Sequence, residues 1–328
     1  MSADDATDRD GGARLSPMVT LVGSALLLLI VIKVAPRIVV GDEAGGGLEL
    51  LREPRTLLAA LVGATLAGCG VVLQSVLRNE LASPFTLGVA SGATLGAAVA
   101  VRFDLGFALM GLAILDVRTL LALLGALGST GLILLVSRRT GASSESLVLA
   151  GVGISLLVNA VVVALFVGTA SRRYSELIFW TMGNLQIVGD DMLRLLLPPL
   201  LIGAGGILWI ASDLNIIALD EDSARALGVV PSRIRRLALL ATGIATAGVV
   251  AVAGPIGFVG LIVPHAVRRL AGPDTRVVLP ASAMIGGAFL VLCDLLARTV
   301  LAPEELPIGV VTALIGSPIF LLILLRHR

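Results

Sequence analysis

The sequence predicts an all-α, polytopic membrane protein with about ten transmembrane helices. Hydrophobic residues make up 57% of the 328 residues and charged residues only 14%, and the mean hydropathy is +1.02. Soluble domains carry about 25% charged residues, so the composition excludes that class. The apolar residues are gathered in runs, most of them close to the ~20 residues that an α-helix needs to cross a bilayer.

The N-terminal segment, residues 1–17, is polar, acidic and rich in turn-forming residues. Such a composition buries too little apolar surface to fold, so we expect a disordered cytoplasmic tail. Acids stand where a cleavable secretory signal would carry basic residues: Asp4, Asp5, Asp8 and Asp10. The first apolar run is therefore predicted to remain as a membrane helix, and residues 18–328 form one transmembrane domain.

The apolar runs fall close to residues 18–40, 56–77, 86–101, 120–136, 147–168, 193–211, 237–253, 257–267, 277–300 and 308–325. The third and eighth runs are short and interrupted by Gly or Pro. Broken helices occur at membrane depth only where protein or a water-filled path shields their backbone. Both of these helices are therefore predicted to face inward.

Arginines set the orientation, because cytoplasmic loops carry an excess of positive charge. Ten crossings place both termini on one side. If that side is the cytoplasm, the inner segments carry Arg78, Arg138, Arg139, Arg225, Arg233, Arg235, Arg236, Arg268, Arg269, Arg276, Arg326 and Arg328. The exceptions on the outer side need another explanation, and they include Arg52, Arg55, Arg172, Arg173 and Arg298.

Small residues recur at helix-packing spacing, as in the pairs Gly92 and Gly96, Gly63 and Ala67, and Gly243 and Ala247. They allow backbones to approach closely in a membrane. The segments LLAALVGATLAGCGVV and LALLATGIATAGVVAV match at an offset of 180 residues. They lie in the second and seventh apolar runs, five crossings apart, so they run in opposite directions, which predicts an inverted internal repeat of the kind found in transporters.

The longest polar interruption, SDLNIIALDEDSARALGVVPSRIRR, covers residues 212–236. Acids precede Ala224, which suits a short helix with negative charge at its N-terminus. Gly228 can end that helix, and Pro231 offers a second start. We expect two short helices joined by a bend. They form either a docking surface or a charged loop without a partner.

Several activities are excluded by absent motifs. The chain has one lysine, Lys33, and no GxxxxGK[ST] loop, so it does not bind nucleotide phosphates in that way. Neither His265 nor His327 belongs to an HExxH pair, and no GxSxG motif occurs, so an enzyme is not predicted. Cys69 and Cys293 give no metal-ligand spacing. The net charge of +1 argues against a nucleic-acid partner.

Family motifs cover nearly the whole chain from Leu51. They are LREPRTL (51–57), VLQSVLRNELASPFTLGVASGA (72–93), LVLAGVGIS (147–155), FWTMGNL (179–185), and then ALDEDSARALGV, GPIGFVGLIVPHAVRRLAGPDTRVVLPASAMIGGA, LCDLLAR and ELPIGVVTALIGSPIFLLIL. In this order and spacing they resemble the permease subunits of type II ATP-binding-cassette (ABC) importers for iron chelates, haem and cobalamin.

The resemblance implies a ten-helix subunit of the inner membrane that pairs with a second copy of itself. Two cytoplasmic ATPase subunits would bind ATP and magnesium, so this chain needs no cofactor. A periplasmic or lipid-anchored solute-binding protein would deliver the cargo. The polar loop would be the coupling element that contacts the ATPase, through Asp220, Ser223, Ala224, Arg225, Leu227 and Gly228.

The resemblance also gives the outer arginines a purpose. In this family, arginines matching Arg52, Arg55 and Arg298 receive acidic residues of the binding protein, because a guanidinium can take a carboxylate with two hydrogen bonds. Alternatively, Arg52 and Arg55 anchor the head of a helix. Arg298 can instead pair with Asp294 one turn earlier.

The cytoplasmic gate of the family maps onto Asn79, Leu81, Ser144 and Glu145. This chain departs from the family in having Glu80 and Glu145 there. The two acids either line the exit or pair with Arg78 and Arg139, and pairing is favoured because a solvated surface carboxylate costs little. His265 is expected to be a hydrogen-bonded structural residue rather than a cargo ligand.

The predicted function is import of an iron chelate, either siderophore-bound iron or haem, with cobalamin as the next candidate cargo. A stand-alone secondary transporter is the competing class, because broken helices and an inverted repeat suit it equally. Uptake without an ATPase would distinguish it.

Overall fold

The computed structural model describes residues 15–38, 49–105, 117–139, 143–167, 171–185, 191–219 and 221–326. Within these ranges every regular element is an α-helix. The helices are α1 (Pro17–Ile38), α2 (Glu49–Leu77), α3 (Val89–Phe103), α4 (Val117–Arg139), α5 (Ser144–Phe166), α6 (Ser171–Thr181), α7 (Asp191–Leu219), α8 (Glu221–Ala226), α9 (Pro231–Ala253), α10 (Val259–Ala271), α11 (Thr275–Thr299) and α12 (Ile308–Arg326).

Each predicted apolar run lies in a helix of its own, which confirms the all-α class. Among the described residues, seven helices are long and apolar enough to cross a membrane: α1, α2, α4, α5, α7, α9 and α11. The two runs predicted to be short are the 15-residue α3 and the 13-residue α10. The short helix α6 matches no predicted run, and α8 lies in the polar interruption.

The predicted tail lies outside the described residues as far as residue 14. Helix α1 begins at Pro17, the last residue of the predicted tail. The Leu15 N–H donates to the Leu270 carbonyl oxygen at 3.0 Å, and Ser16 Oγ accepts the Val19 N–H at 3.3 Å at the start of α1. Pro17 then occupies the first helical position, where its missing N–H costs nothing.

Helix α2 runs through the middle of the bundle. Helices α1, α7, α9, α10 and α11 all pack around it. Leu58, Val62, Leu66 and Leu73 on α2 are each at most 1% exposed. The core therefore surrounds α2, and its two ends hold the polar residues that reach out to neighbouring helices.

Helices approach closest at small residues, as the spacing predicts. A Cβ atom at Gly63 of α2 would lie 2.2 Å from the Gly286 carbonyl oxygen of α11. One at Gly96 of α3 would lie 1.8 Å from the Leu121 carbonyl oxygen of α4. No side chain fits at these separations, so glycine is required for both helix pairs to reach their packing distance.

The two segments of the predicted inverted repeat lie in α2 and α9, and these helices pack against each other. Helices α3, α4, α5 and α7 lie between them in the chain, and α6 is too short to cross. Helices α2 and α9 therefore traverse the bundle in opposite directions, as the repeat requires.

The connection between α9 and α10 shows why a short helix is tolerated here. Gly254 has a φ of +67°, and a Cβ atom on it would lie 2.6 Å from the Trp180 carbonyl oxygen. The Asn184 N–H donates to the Ala253 carbonyl oxygen at 2.8 Å. The end of α6 and the residues after it thus cover this non-helical backbone, which agrees with the predicted inward position.

Candidate functional site

The candidate residues lie at the two ends of the bundle. At one end α2, α4, α7 and α10 finish and α9 and α11 begin, and most of the arginines named above lie there. We call it the arginine-rich end. The opposite end carries the start of α2 and the end of α11.

At the arginine-rich end, the polar interruption is shorter than predicted. Helix α7 continues to Leu219, and Pro231 begins the long helix α9 instead of a second short helix. The continuation of α7 is explained by packing, because Leu214 and Ile217 are each 0% exposed in the core. Of the two short helices expected, the structure contains one, α8.

Helix α8 presents most but not all of the predicted coupling residues. Exposed on α8 and the turn after it are Ser223, Arg225, Leu227 and Gly228. Ala224 is 0% exposed and packs in a cluster with Ile217 and Ile234. Ala224 therefore holds α8 against α7 and α9, and this burial does not fit its predicted contact with a partner. Asp220 lies outside the described residues.

An apolar pair marks the exposed end of α8. Leu227 is 70% exposed and Val230 is 55% exposed. Gly228 between them has a φ of +81°, and its N–H donates to the Arg225 carbonyl oxygen at 3.0 Å. This turn needs glycine, because other residues rarely adopt positive φ. Sequence reasoning missed Val230, which follows Leu227 on the same turn and is exposed as Leu227 is.

The predicted gate residues flank a small apolar cluster. Leu77 at the end of α2 and Leu147 near the start of α5 both belong to it, so the structure brings the two gate segments close together. The Asn79 side-chain oxygen accepts the N–H of Leu81 at 2.9 Å, which shapes the chain after α2. Leu81 is 48% exposed.

On the α5 side of the gate, Ser144 and Glu145 form the first turn of the helix. Ser143 is the N-cap, and its side chain accepts the Ser146 N–H at 3.4 Å. Glu145 is exposed and lies where a carboxylate favours the helix dipole. Helix capping thus accounts for a carboxylate at this position.

Glu80 is held by a residue from the other half of the chain. A Glu80 carboxylate oxygen lies 3.1 Å from His265 Nδ1, a contact that the sequence analysis did not anticipate. The expected pairing of Glu80 with Arg78 stays a prediction. The contact supports the structural role predicted for His265, whose side chain is 10% exposed.

Two arginines missed by sequence reasoning brace the last turns of α2. Arg268 donates to the side chain of Gln74, to the Val71 carbonyl oxygen at 3.1 Å and to Ser75 Oγ at 3.1 Å. Arg235, only 5% exposed, donates to the Val76 carbonyl oxygen at 3.3 Å. The Val76 carbonyl is one of the last four of α2, which have no partner within the helix, and positive charge is favoured at a helix C-terminus. The two arginines fix the position of the helix that leads into the gate.

At the opposite end, a cluster of four charged residues joins α2 to α11 and to the connection before α12. Arg55 Nη2 lies 2.8 Å from Asp294 Oδ1, and Arg55 Nη1 lies 3.0 Å from Glu305 Oε2. Arg298 Nη2 lies 2.6 Å from Asp294 Oδ2. The side chains of Asp294 and Arg298 are 1% and 7% exposed. We call these four residues the outer ion cluster.

The outer ion cluster bears on the predicted docking arginines. The pair of Arg298 with Asp294, the alternative left open by the sequence, is present. Arg55 is also engaged within the chain, by Asp294 and by the 38% exposed Glu305. Arg52 lies in the first turn of α2, and its side chain is outside the described part. Glu305 was missed from the sequence, because 250 residues separate it from Arg55.

Residues 47–326 match the sequence model of the FecCD transport family. The chain belongs to this family. It is 40% identical over 279 residues to the cobalamin import system permease protein BtuC of Halobacterium salinarum, with 85% of this chain and 73% of that protein covered. It is 37% identical over 282 residues to the hemin transport system permease protein HmuU of Yersinia pestis, with 85% and 83% covered.

A solved structure of a metal-chelate type ABC transporter in an inward-facing conformation has the same fold. The TM-score is 0.83 at 31% identity, and the match covers 93% of this chain and 98% of that chain. The chain is therefore a multi-pass membrane protein and a permease of the ABC importer class, as the motifs predict.

Proposed function

We propose that this permease carries an iron chelate, siderophore-bound iron or haem, across the inner membrane, with both termini in the cytoplasm. Separate ATPase subunits power it. The observation that carries the proposal is the exposed Leu227 and Val230 on the α8 turn, in a chain without a nucleotide-binding loop. An apolar pair at a charged membrane surface is typical of a protein contact. Cobalamin is the second candidate cargo, since the relatives of this chain include several permeases of cobalamin (vitamin B12) import systems.

Energy reaches the permease through α8. A partner shifts a two-state protein only by binding one state better than the other. Ala224 fastens α8 to both α7 and α9, so a push on α8 moves two long helices together. The ATPase therefore needs to bind the α8 turn with different affinities in the inward-facing and outward-facing states.

A second copy of the chain completes the path. Asn159 is exposed in the middle of α5, and of the described helices α5 packs against α3 and α4. An amide facing lipid would lose its hydrogen bonds, so polar residues in spanning helices face protein or water. In the proposed homodimer, α5 faces the other copy and the path between them.

Reconstitution tests the proposed function. The permease is placed in proteoliposomes with or without its cognate ATPase subunits and binding protein, and uptake of radioactive ferric siderophore, haem and cobalamin is measured. We expect uptake only with the ATPase and internal ATP. Accumulation driven by an ion gradient without the ATPase would overturn the proposal in favour of a secondary transporter. The cargo that is taken up fastest identifies the substrate.

The binding protein is proposed to dock at the opposite end, through Arg52 and through exchange of partners in the outer ion cluster. We expect Arg52→Glu to weaken its binding by about tenfold or more, because a carboxylate then faces the acidic residues of the partner. Binding is measured by biolayer interferometry on the purified permease at two salt concentrations.

The matched control for this docking experiment is Arg172→Glu. It makes the same change of charge at an exposed position of α6, and its effect on binding is expected to be small. Equal binding by Arg52→Glu and the unmodified permease, or an equal loss in Arg172→Glu, would contradict the docking assignment.

A further inference from the structure

An apolar groove of about 520 Å³ lies between α2, α7 and α11. Small residues make it: Ala64 and Gly68 on α2, Ala204 and Ala211 on α7, and Ala283 on α11. These side chains end at or before Cβ and leave the space between the helices unfilled. The groove is open to the outside of the bundle, so in a membrane its apolar lining meets either lipid chains or another apolar protein surface.

The groove has the depth of a single leaflet. It runs along α11 from Arg276, at the arginine-rich end, to Ala283. That stretch of helix is about 10 Å long, against about 15 Å for half the hydrocarbon core of a bilayer. On α7 the lining is longer and runs from Leu200 to Ala211, about 16 Å. The groove therefore extends inward from the arginine-rich end over about the thickness of one leaflet.

The mouth of the groove carries a cation. Arg276 is exposed, and within the described part of the chain its guanidinium forms no side-chain hydrogen bond, although the Asp274 carboxylate attracts it electrostatically. The nearby Asp274 carboxylate is engaged, since it accepts from the Asn215 amide at 2.7 Å and from the Arg276 N–H at 2.9 Å. A basic residue where a hollow between membrane helices meets the surface fits an anionic headgroup.

We propose that this groove binds one anionic phospholipid, with an acyl chain between α7 and α11 and the phosphate at Arg276. The second copy is a poorer fit as occupant. Helix α5, which exposes Asn159, packs on α3 and α4, whereas the groove is lined mainly by α2, α7 and α11. An acyl chain packed against α7 would stabilise the position of this helix, which leads directly to α8.

Lipid binding is tested on the purified full-length chain by native mass spectrometry. Phosphatidylglycerol and phosphatidylcholine with identical acyl chains are added in turn. We expect phosphatidylglycerol to bind about fivefold more tightly, the factor for one arginine near a headgroup. Arg276→Gln should remove the preference. Ala204→Phe should fill the groove and abolish retention of both lipids.

Two matched variants control for surface effects. Leu201→Phe enlarges an exposed side chain of α7 outside the groove, and Arg269→Gln removes an exposed arginine at the same end. Both should bind lipid as the unmodified chain does. If Ala204→Phe does not fold, as judged by thermal unfolding, Ala211→Leu fills the same groove.

Retention of lipid by the filled variant, or equal loss in Leu201→Phe, would overturn the proposal. So would a change of oligomeric state in Ala204→Phe without loss of lipid, because the groove would then be an interface between copies. Neither readout involves transport, so these outcomes are independent of the proposed import function.

Discussion

Replacing Asp294 by alanine is expected to destabilise the folded permease by about 3–5 kcal/mol, the usual cost of removing one partner of a buried ion pair. The Asp294 side chain is 1% exposed and is shared by Arg55 and Arg298. Its removal would leave Arg298 buried without its carboxylate and Arg55 with Glu305 alone. Thermal unfolding of the detergent-purified protein measures the loss.

The control for this experiment is Glu305→Gln. Glu305 is 38% exposed, and exposed ion pairs contribute only about 0.2–1 kcal/mol. A triple variant, Asp294→Leu with Arg55→Met and Arg298→Met, should recover much of the stability, since apolar residues replace buried ion clusters well. If Asp294→Ala unfolded at the same temperature as the unmodified protein, the ion pairs would not be buried in the membrane-embedded permease.

The geometry of the outer ion cluster allows one arginine to serve both stability and the proposed docking. Arg55 uses Nε and Nη2 on Asp294 and Nη1 on Glu305. An acidic residue of a binding protein can replace the exposed Glu305 without disturbing the buried Asp294. Arg298, at 7% exposure, has no comparable exposed partner in the cluster. We therefore expect docking to involve Arg55 more than Arg298.

The helices were predictable because membrane helices are set by composition alone. A run of apolar residues has to be helical in lipid, where every backbone group needs a partner within the segment. This holds even for the short α3 and α10, whose glycines mark them in the sequence. The predicted end of α7 and the predicted start of α9 were wrong. Hydropathy counts the polar residues in a segment but does not record which face of the helix they occupy. Asp213 and Asn215 look like a loop, while Leu214 between them packs in the core.

The candidate site was predictable in position but not in its contacts. The polar interruption correctly located α8. The distribution of arginines along the sequence indicated that α8 lies at the arginine-rich end of the bundle. The burial of Ala224 depends on Ile217 and Ile234, which only the folded chain brings to it. The brace from Arg268 to Gln74 joins residues 194 positions apart, and no local pattern encodes such a pairing.

Leu227→Asp is expected to reduce ATP-driven import by about 30-fold. Truncation of a residue at the centre of a protein contact costs about 2 kcal/mol or more, which converts to that factor. A buried carboxylate in the contact adds desolvation. Leu227 is 70% exposed in the isolated chain, so the thermal unfolding of the purified permease should not change. Co-purification of the ATPase subunits and uptake in proteoliposomes are measured together.

Leu270→Asp is the matched control for Leu227→Asp, because it makes the same substitution at a 50% exposed leucine at the arginine-rich end, outside α8. Leu270→Asp should import nearly normally. If Leu227→Asp imports at the full rate, or if Leu270→Asp fails equally, force does not enter through α8. The rigid link that Ala224 makes to α7 and α9 would then serve folding alone.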